Sequence, residues 1–149
     1  MTKENLLLEI KSRNCYIIER EFISQNIRAI YCDKCIALNK DITDENEKFC
    51  LIAEQLAHDY LSSGIVLNDK KQLSRARAWA FDKLIGISGL VEAFENGCKN
   101  EKEIADYLNV TEVFLKKALF FYADKYGKRL KLGDLFIKFI PELEIKRER

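Results

Sequence analysis

The most informative part of the sequence is Leu51-Ile-Ala-Glu-Gln-Leu-Ala-His-Asp-Tyr-Leu61. Its apolar residues recur every three or four positions, which predicts an amphipathic helix. On such a helix Glu54 and His58 project from one face about 6 Å apart, because four residues complete about one turn. A carboxylate and an imidazole one turn apart can bind zinc. The same pair also occurs by chance on surface helices, and His58 is the only histidine of the chain.

The segments that flank this motif helix predict an α+β fold. Thr43 is placed to cap the helix, and the acids that follow it suit the positive end of the helix dipole. The predicted fold is mostly helical and forms a single domain over residues 1–149. A small N-terminal β-element packs on the motif helix, and a C-terminal helical hairpin and a late strand follow. The other predicted elements are a helix over 4–12, strands over 15–18, 28–32 and 35–38 with a tight turn at Asp33-Lys34, a helical stretch over 70–96 broken near 85–89, helices over 101–108 and 111–126, and a strand over 135–140.

The composition is that of a globular protein without a dominant charge. The 149 residues are 48% hydrophobic and 33% charged, with a formal net charge of +1. The sequence has neither an apolar run near the roughly 18 residues of a membrane span nor a signal-like N-terminus. Five cysteines cannot all pair with one another, which favours a reducing compartment. We therefore expect a cytoplasmic protein that does not enter the membrane.

Charge is unevenly distributed along the chain. Residues 41–60 hold six acids and one lysine, whereas residues 116–133 hold five lysines and one arginine against Asp124. One interpretation is that both stretches are solvated helix faces with capping acids. The other is that the acidic helix lines a site and the basic stretch meets a partner.

The motif helix and its neighbours resemble the ImmA/IrrE metallopeptidases of mobile elements and their phage-borne relatives. Those proteins carry His-Glu-x-x-His on a central helix. Many phage versions read like Ala-Glu-Glu-Leu-Gly-His, where this chain has Ala53-Glu-Gln-Leu-Ala-His58. The similarity continues through Lys71-Gln-Leu-Ser-Arg-Ala-Arg-Ala-Trp-Ala-Phe-Asp-Lys-Leu-Ile85 and through residues 103–127. It covers nearly the whole chain in the order and spacing of the family.

The resemblance implies a zinc site in which Glu54 and His58 are ligands. It places the general base directly after Glu54 and a third ligand, an acid, on the next helix. This chain has Gln55 at the base position and Leu73 at the expected position of the third ligand. An amide cannot act as a base near neutral pH, and an apolar side chain cannot bind a cation. We therefore expect zinc to be absent or weakly bound.

Other residues offer weaker signals for a metal site. Asp59 or Asp69 could substitute as the third ligand, although neither stands at the position that the family uses. Cys32-Asp-Lys-Cys35 has the spacing of half a zinc knuckle or of a redox pair. No second pair of this kind follows it, so the simpler interpretation is two small apolar residues that flank a hairpin turn.

Residues 101–127 match the periodicity of a helix-turn-helix. Ala105 is the small residue where the two helices would meet, and Asn109 stands at the turn position that usually takes glycine. Lys116 and Lys117 could contact phosphates, but the second helix offers no Arg, Asn or Gln to read a base edge. Nucleic-acid binding is therefore an alternative to a helical hairpin with a packing role.

The expected function is that of a catalytically degenerate ImmA/IrrE-family protein. By resemblance, it binds a phage or mobile-element regulator, such as a repressor, through the former active-site cleft. The alternatives are an active, atypical zinc endopeptidase that cleaves a repressor and a small DNA-binding regulator. If the cleft is now a binding surface, we expect Glu54 and His58 to be partly exposed. Ile52 and Leu56 should then be buried on the opposite face.

Overall fold

A computed structural model describes residues 1–61 and 70–148, and the chain divides into two compact units, Met1–Leu84 and Ile85–Arg149. Both units combine helices with a three-stranded sheet, which confirms the mostly helical α+β class. The first unit contains α1 (Lys3–Ser12), β1 (Tyr16–Arg20), β2 (Ala29–Cys32), β3 (Cys35–Asn39), α2 (Glu45–Leu61) and α3 (Lys70–Leu84). The second contains α4 (Gly86–Glu95), α5 (Glu101–Leu108), α6 (Glu112–Tyr126), β4 (Arg129–Leu132), β5 (Leu135–Lys138) and β6 (Glu144–Arg147).

In the sheet of the first unit, β3 lies between a parallel β1 and an antiparallel β2. The predicted turn between β2 and β3 is confirmed. Asp33 and Lys34 have φ values of +42° and +71°, which match the turn type that suits the twist of a two-residue hairpin. The outer edge of β2 is paired with no other strand among the residues that the structure describes.

The motif helix α2 packs on β2, β3 and α3. Its apolar face is buried as expected, with Leu56 fully buried and Ile52 9% exposed. The predicted cap is wrong by one residue. Asp44, rather than Thr43, directly precedes the helix, and its carboxylate accepts a hydrogen bond from the backbone N–H of Asn46 at 2.9 Å. An aspartate at this position satisfies one of the free N–H groups of the first turn.

In the second unit, α5 and α6 form the predicted helical hairpin. Asn109 ends α5 in the left-handed conformation with φ of +61°, which asparagine tolerates better than most other residues. Thr111 then caps α6 by accepting a hydrogen bond from the N–H of Phe114 at 3.0 Å. Ala105 and Val110 are buried at the turn.

The expectation of one late strand is incomplete. Of the predicted strand over 135–140, residues 135–138 form β5, the centre of an antiparallel β4-β5-β6 sheet. The outer strand Arg129-Leu-Lys-Leu132 alternates charged and apolar residues over only four positions, and Glu144-Ile-Lys-Arg147 has a single apolar residue. An antiparallel sheet commonly packs one face on the core and leaves the other face in solvent. Each of these short strands therefore has few apolar residues and gives only a weak hydrophobic pattern in the sequence. None of the described helices is sufficiently long and apolar to cross a membrane.

Candidate functional site

A cleft of about 240 Å³ in the first unit brings the predicted site positions together. Glu54, Gln55 and His58 line it from α2, and Leu73 lines it from α3. The opposite wall is the segment Asn26–Ala29, which leads into β2. The four positions named in the sequence analysis therefore border one cavity.

His58 is less accessible than expected. It is 3% exposed, whereas Glu54 is half-buried, so the prediction that both are partly exposed is wrong for the histidine. The Tyr31 ring stacks against the imidazole, with 6.4 Å between the ring centroids and 26° between the planes. Burial lowers the pKa of His58 below its usual 6.5, so the imidazole is neutral at pH 7. Neutral imidazole is the form that binds metals or shares hydrogen bonds with a ligand.

Asp59 does not line the cleft. Its carboxylate accepts hydrogen bonds from the Arg13 guanidinium, the Tyr31 hydroxyl and the Lys34 ammonium. Burial alone would raise the pKa of this carboxyl, but the three donors outweigh burial and lower it to about 2. Asp59 is thus committed to an internal network and is not available as a third metal ligand.

The donor set at the cleft does not fit a catalytic zinc ion. Glu54 and His58 supply two ligands, and Leu73, half-buried at the expected third position, supplies none. Catalytic zinc sites ordinarily have three protein ligands. Within residues 1–61 and 70–148, no three His, Cys, Asp or Glu side chains lie close enough together to hold a metal ion. Asp69, the other candidate substitute, lies outside the described residues.

The wall opposite α2 is held by contacts that the sequence did not reveal. Asn39, 1% exposed, donates its side-chain N–H to the Ile27 carbonyl at 3.1 Å and its backbone N–H to the Arg28 carbonyl at 2.9 Å. The Arg28 guanidinium forms two hydrogen bonds with the Glu47 carboxylate, at 2.9 and 3.0 Å. An asparagine at the end of a strand is the signal that could have identified this anchor, since its side chain readily bonds nearby backbone.

The remaining candidates lie away from the cleft. Lys116 donates to both carboxylate oxygens of Glu101, at 2.8 and 3.1 Å, and to the Pro141 carbonyl at 2.8 Å. Its ammonium is therefore already occupied, whereas Lys117 is exposed on α6. Cys32 and Cys35 are free thiols at directly opposite positions of the β2–β3 hairpin, as two residues flanking a turn would be.

No protein-family model, no curated protein and no solved structure matches this chain. The relation to the ImmA/IrrE metallopeptidases therefore stays a prediction. It rests on the motif, on its spacings and on the residues quoted above.

Proposed function

We propose that this chain is a catalytically degenerate ImmA/IrrE-type protein that binds a regulator of a phage or mobile element, such as a repressor, without cleaving it. The observation that carries the proposal is the composition of the cleft. Gln55 and Leu73 stand where the resemblance calls for carboxylates, and they border the same cavity as Glu54 and His58.

Hydrolysis is disfavoured by the chemistry of these side chains. A peptidase of this kind needs a base that accepts a proton from the attacking water, and the Gln55 amide does not accept one near neutral pH. A two-ligand site also holds zinc less firmly than the three-ligand sites of catalytic centres. Binding of a peptide in the cavity, in contrast to its hydrolysis, requires no metal ion.

The outer edge of β2 is a surface to which an extended peptide can bind. β2 is an edge strand of its sheet, and its first residue, Ala29, lines the cleft. An unpaired strand edge can accept one more strand through main-chain hydrogen bonds, while side pockets select the side chains. A segment of the regulator that pairs with β2 would lie beside the cleft at Ala29.

The test is binding between the full chain and the repressor whose gene neighbours its own, measured by calorimetry, with mass spectrometry of the repressor afterwards. We expect a complex with an intact repressor. Leu73→Arg fills the cleft with a long charged side chain and should weaken binding by about tenfold or more. Ser74→Arg adds the same side chain at an exposed position of α3 that does not line the cleft, so it should leave the affinity unchanged.

Two other results would favour the alternative functions. Cleavage of the repressor that stops when a chelator is added would indicate an active zinc endopeptidase with a third ligand outside the described residues. Salt-dependent binding to duplex DNA that is lost on Lys117→Gln would favour the helix-turn-helix function. Equal binding by the Leu73→Arg and Ser74→Arg variants would contradict the cleft as the binding surface.

A further inference from the structure

The outer face of the β4-β5-β6 sheet is basic and carries an exposed phenyl ring. Residues directly opposite each other on neighbouring strands share a face. Arg129 is opposite Lys138, and Phe136 is opposite both Lys131 and Lys146. The other face of the sheet holds Leu135 and Ile137, which are buried, along with the remaining apolar residues of the strands.

Two concavities that share lining residues extend from this face to Phe120 of α6. A concavity of about 260 Å³ is lined by Arg129, Phe136, Lys138 and Lys146, and a second of about 420 Å³ is lined by Phe120, Lys128, Arg129 and Lys138. The two share Arg129 and Lys138. We call the combined surface the basic groove and define it by Phe120, Lys128, Arg129, Phe136, Lys138 and Lys146.

Two phenylalanines are exposed in the basic groove. Phe120 is 54% exposed and Phe136 is 37% exposed, although phenylalanine is usually among the most buried residues. Each of them lines one of the two concavities that share Arg129 and Lys138. Lys131 places its ammonium 5.4 Å from the centroid of the Phe136 ring. Both rings therefore line concavities that also hold positive side chains.

The positive side chains of the basic groove form no ion pairs with carboxylates among the described residues. Elsewhere in the same unit, Lys116 pairs with Glu101, and Arg147 pairs with Asp134. Within the described part of the chain, Arg129, Lys138 and Lys146 form no ion pair of this kind, and Glu144 is the sole carboxylate lining the groove. Four cations against one carboxylate make the groove complementary to a polyanion.

We propose that the basic groove binds a single strand of nucleic acid, with the phosphates on its lysines and arginine and two bases stacked on Phe120 and Phe136. A basic track with interspersed aromatic rings is the arrangement that holds single strands, because every base presents a π-face. Paired bases in a duplex cannot reach the rings, and an acidic peptide such as poly-glutamate has no aromatic ring to stack on them. The groove lies in the second unit, so this inference does not rest on the function proposed for the cleft.

The test is fluorescence anisotropy of the full chain with labelled 15-nucleotide oligo-dT and oligo-U, with a duplex of the same length and with poly-glutamate. We expect both single strands to bind more tightly than either competitor. Phe120→Leu and Phe136→Leu should each weaken binding roughly five- to hundredfold, because a leucine keeps the apolar surface but offers nothing to stack on. Tyr107→Leu, at an exposed aromatic of α5 outside the groove, should leave it unchanged.

The charge variants provide an independent measurement. The double variant Arg129→Gln/Lys138→Gln should reduce the slope of log K against log salt by about 1.4, because each phosphate contact on a single strand contributes about 0.7. Lys102→Gln, an exposed lysine of α5 away from the groove, should not change the slope. Poly-glutamate or duplex DNA that binds as tightly as the single strands would overturn the proposal. So would an unchanged affinity in both phenylalanine variants, or no binding of either single strand at 50 mM salt.

Discussion

At the scale of single residues, Asp59 is a carboxylate that the fold keeps ionised in its interior. Its side chain is 1% exposed, yet Arg13, Tyr31 and Lys34 all donate hydrogen bonds to it. Breaking such a network leaves buried groups without partners, which costs more than the intact network contributes. The carboxylate joins the end of α1, the hairpin turn and β2 to the motif helix.

Replacing Asp59 with Asn should destabilise the protein at pH 7 and remove part of its acid sensitivity. The pKa of Asp59 falls from 3.8 to about 2 on folding, so the ionised carboxylate stabilises the fold above pH 3.8. That contribution, roughly 2 kcal/mol, disappears as the pH falls from 3.8 towards 2. Urea unfolding at pH 7, 4 and 2.5 measures the effect. The control variant is Asp106→Asn. If Asp59→Asn changes the free energy of unfolding no more than this control does, the role of Asp59 is contradicted.

Leu56 and Glu54 lie on opposite sides of the motif helix and should respond differently to truncation. Leu56 is fully buried, so Leu56→Ala should lower the free energy of unfolding by about 2–5 kcal/mol. Glu54 is half-buried at the cleft, so Glu54→Ala should cost clearly less. Thermal and urea melts of the two variants give the comparison. The reverse order would mean that the helix has a different register.

At the scale of elements, the sequence predicts helices and turns better than it predicts the second sheet. The apolar period of α2 and the turn at Asn109 are local signals, and the structure confirms both. β4 and β6 are not predicted, because each is four residues long and is stabilised only by pairing with β5. Pairing of this kind depends on neighbours in space, which the local pattern of charged and apolar residues does not reveal.

Asn109 offers a test of the turn between α5 and α6. Its φ of +61° is left-handed, a conformation that costs an ordinary residue about 1–2 kcal/mol and glycine almost nothing. Asn109→Ala should therefore lower the free energy of unfolding by about 1 kcal/mol, and Asn109→Gly should change it little. Urea unfolding of both variants measures the difference. Equal losses in the two variants would show that the asparagine side chain, and not its backbone conformation, matters at this position.

At the scale of the whole molecule, the candidate site is predicted in part. The i, i+4 spacing put Glu54 and His58 on one face, and the resemblance implied that Leu73 would join them. Both expectations agree with the lining of the cleft. The wall held by Asn39 was not predicted, nor was the network around Asp59. These contacts join residues far apart in the chain, such as Arg13 and Asp59, which are 46 positions apart.

Restoring the carboxylates tests whether the backbone of a metal site is still present. The double variant Gln55→Glu/Leu73→Glu supplies both the base and the third ligand that the resemblance implies. We expect this variant to be less stable than the natural chain without zinc, because a half-buried carboxylate replaces an apolar side chain. Zinc that binds only the folded state should then raise its melting temperature. A melting temperature indifferent to zinc would contradict the placement of the third ligand at Leu73.

The zinc content of the natural chain tests the degenerate site most directly. The full chain is purified, dialysed against a weak chelator and submitted to elemental analysis, alongside His58→Gln. Because the cleft offers Glu54 and His58 but no third ligand among the described residues, we predict well under one zinc per chain in both proteins. One zinc per natural chain, lost on His58→Gln while the variant stays folded, would contradict the proposal that the zinc site is degenerate.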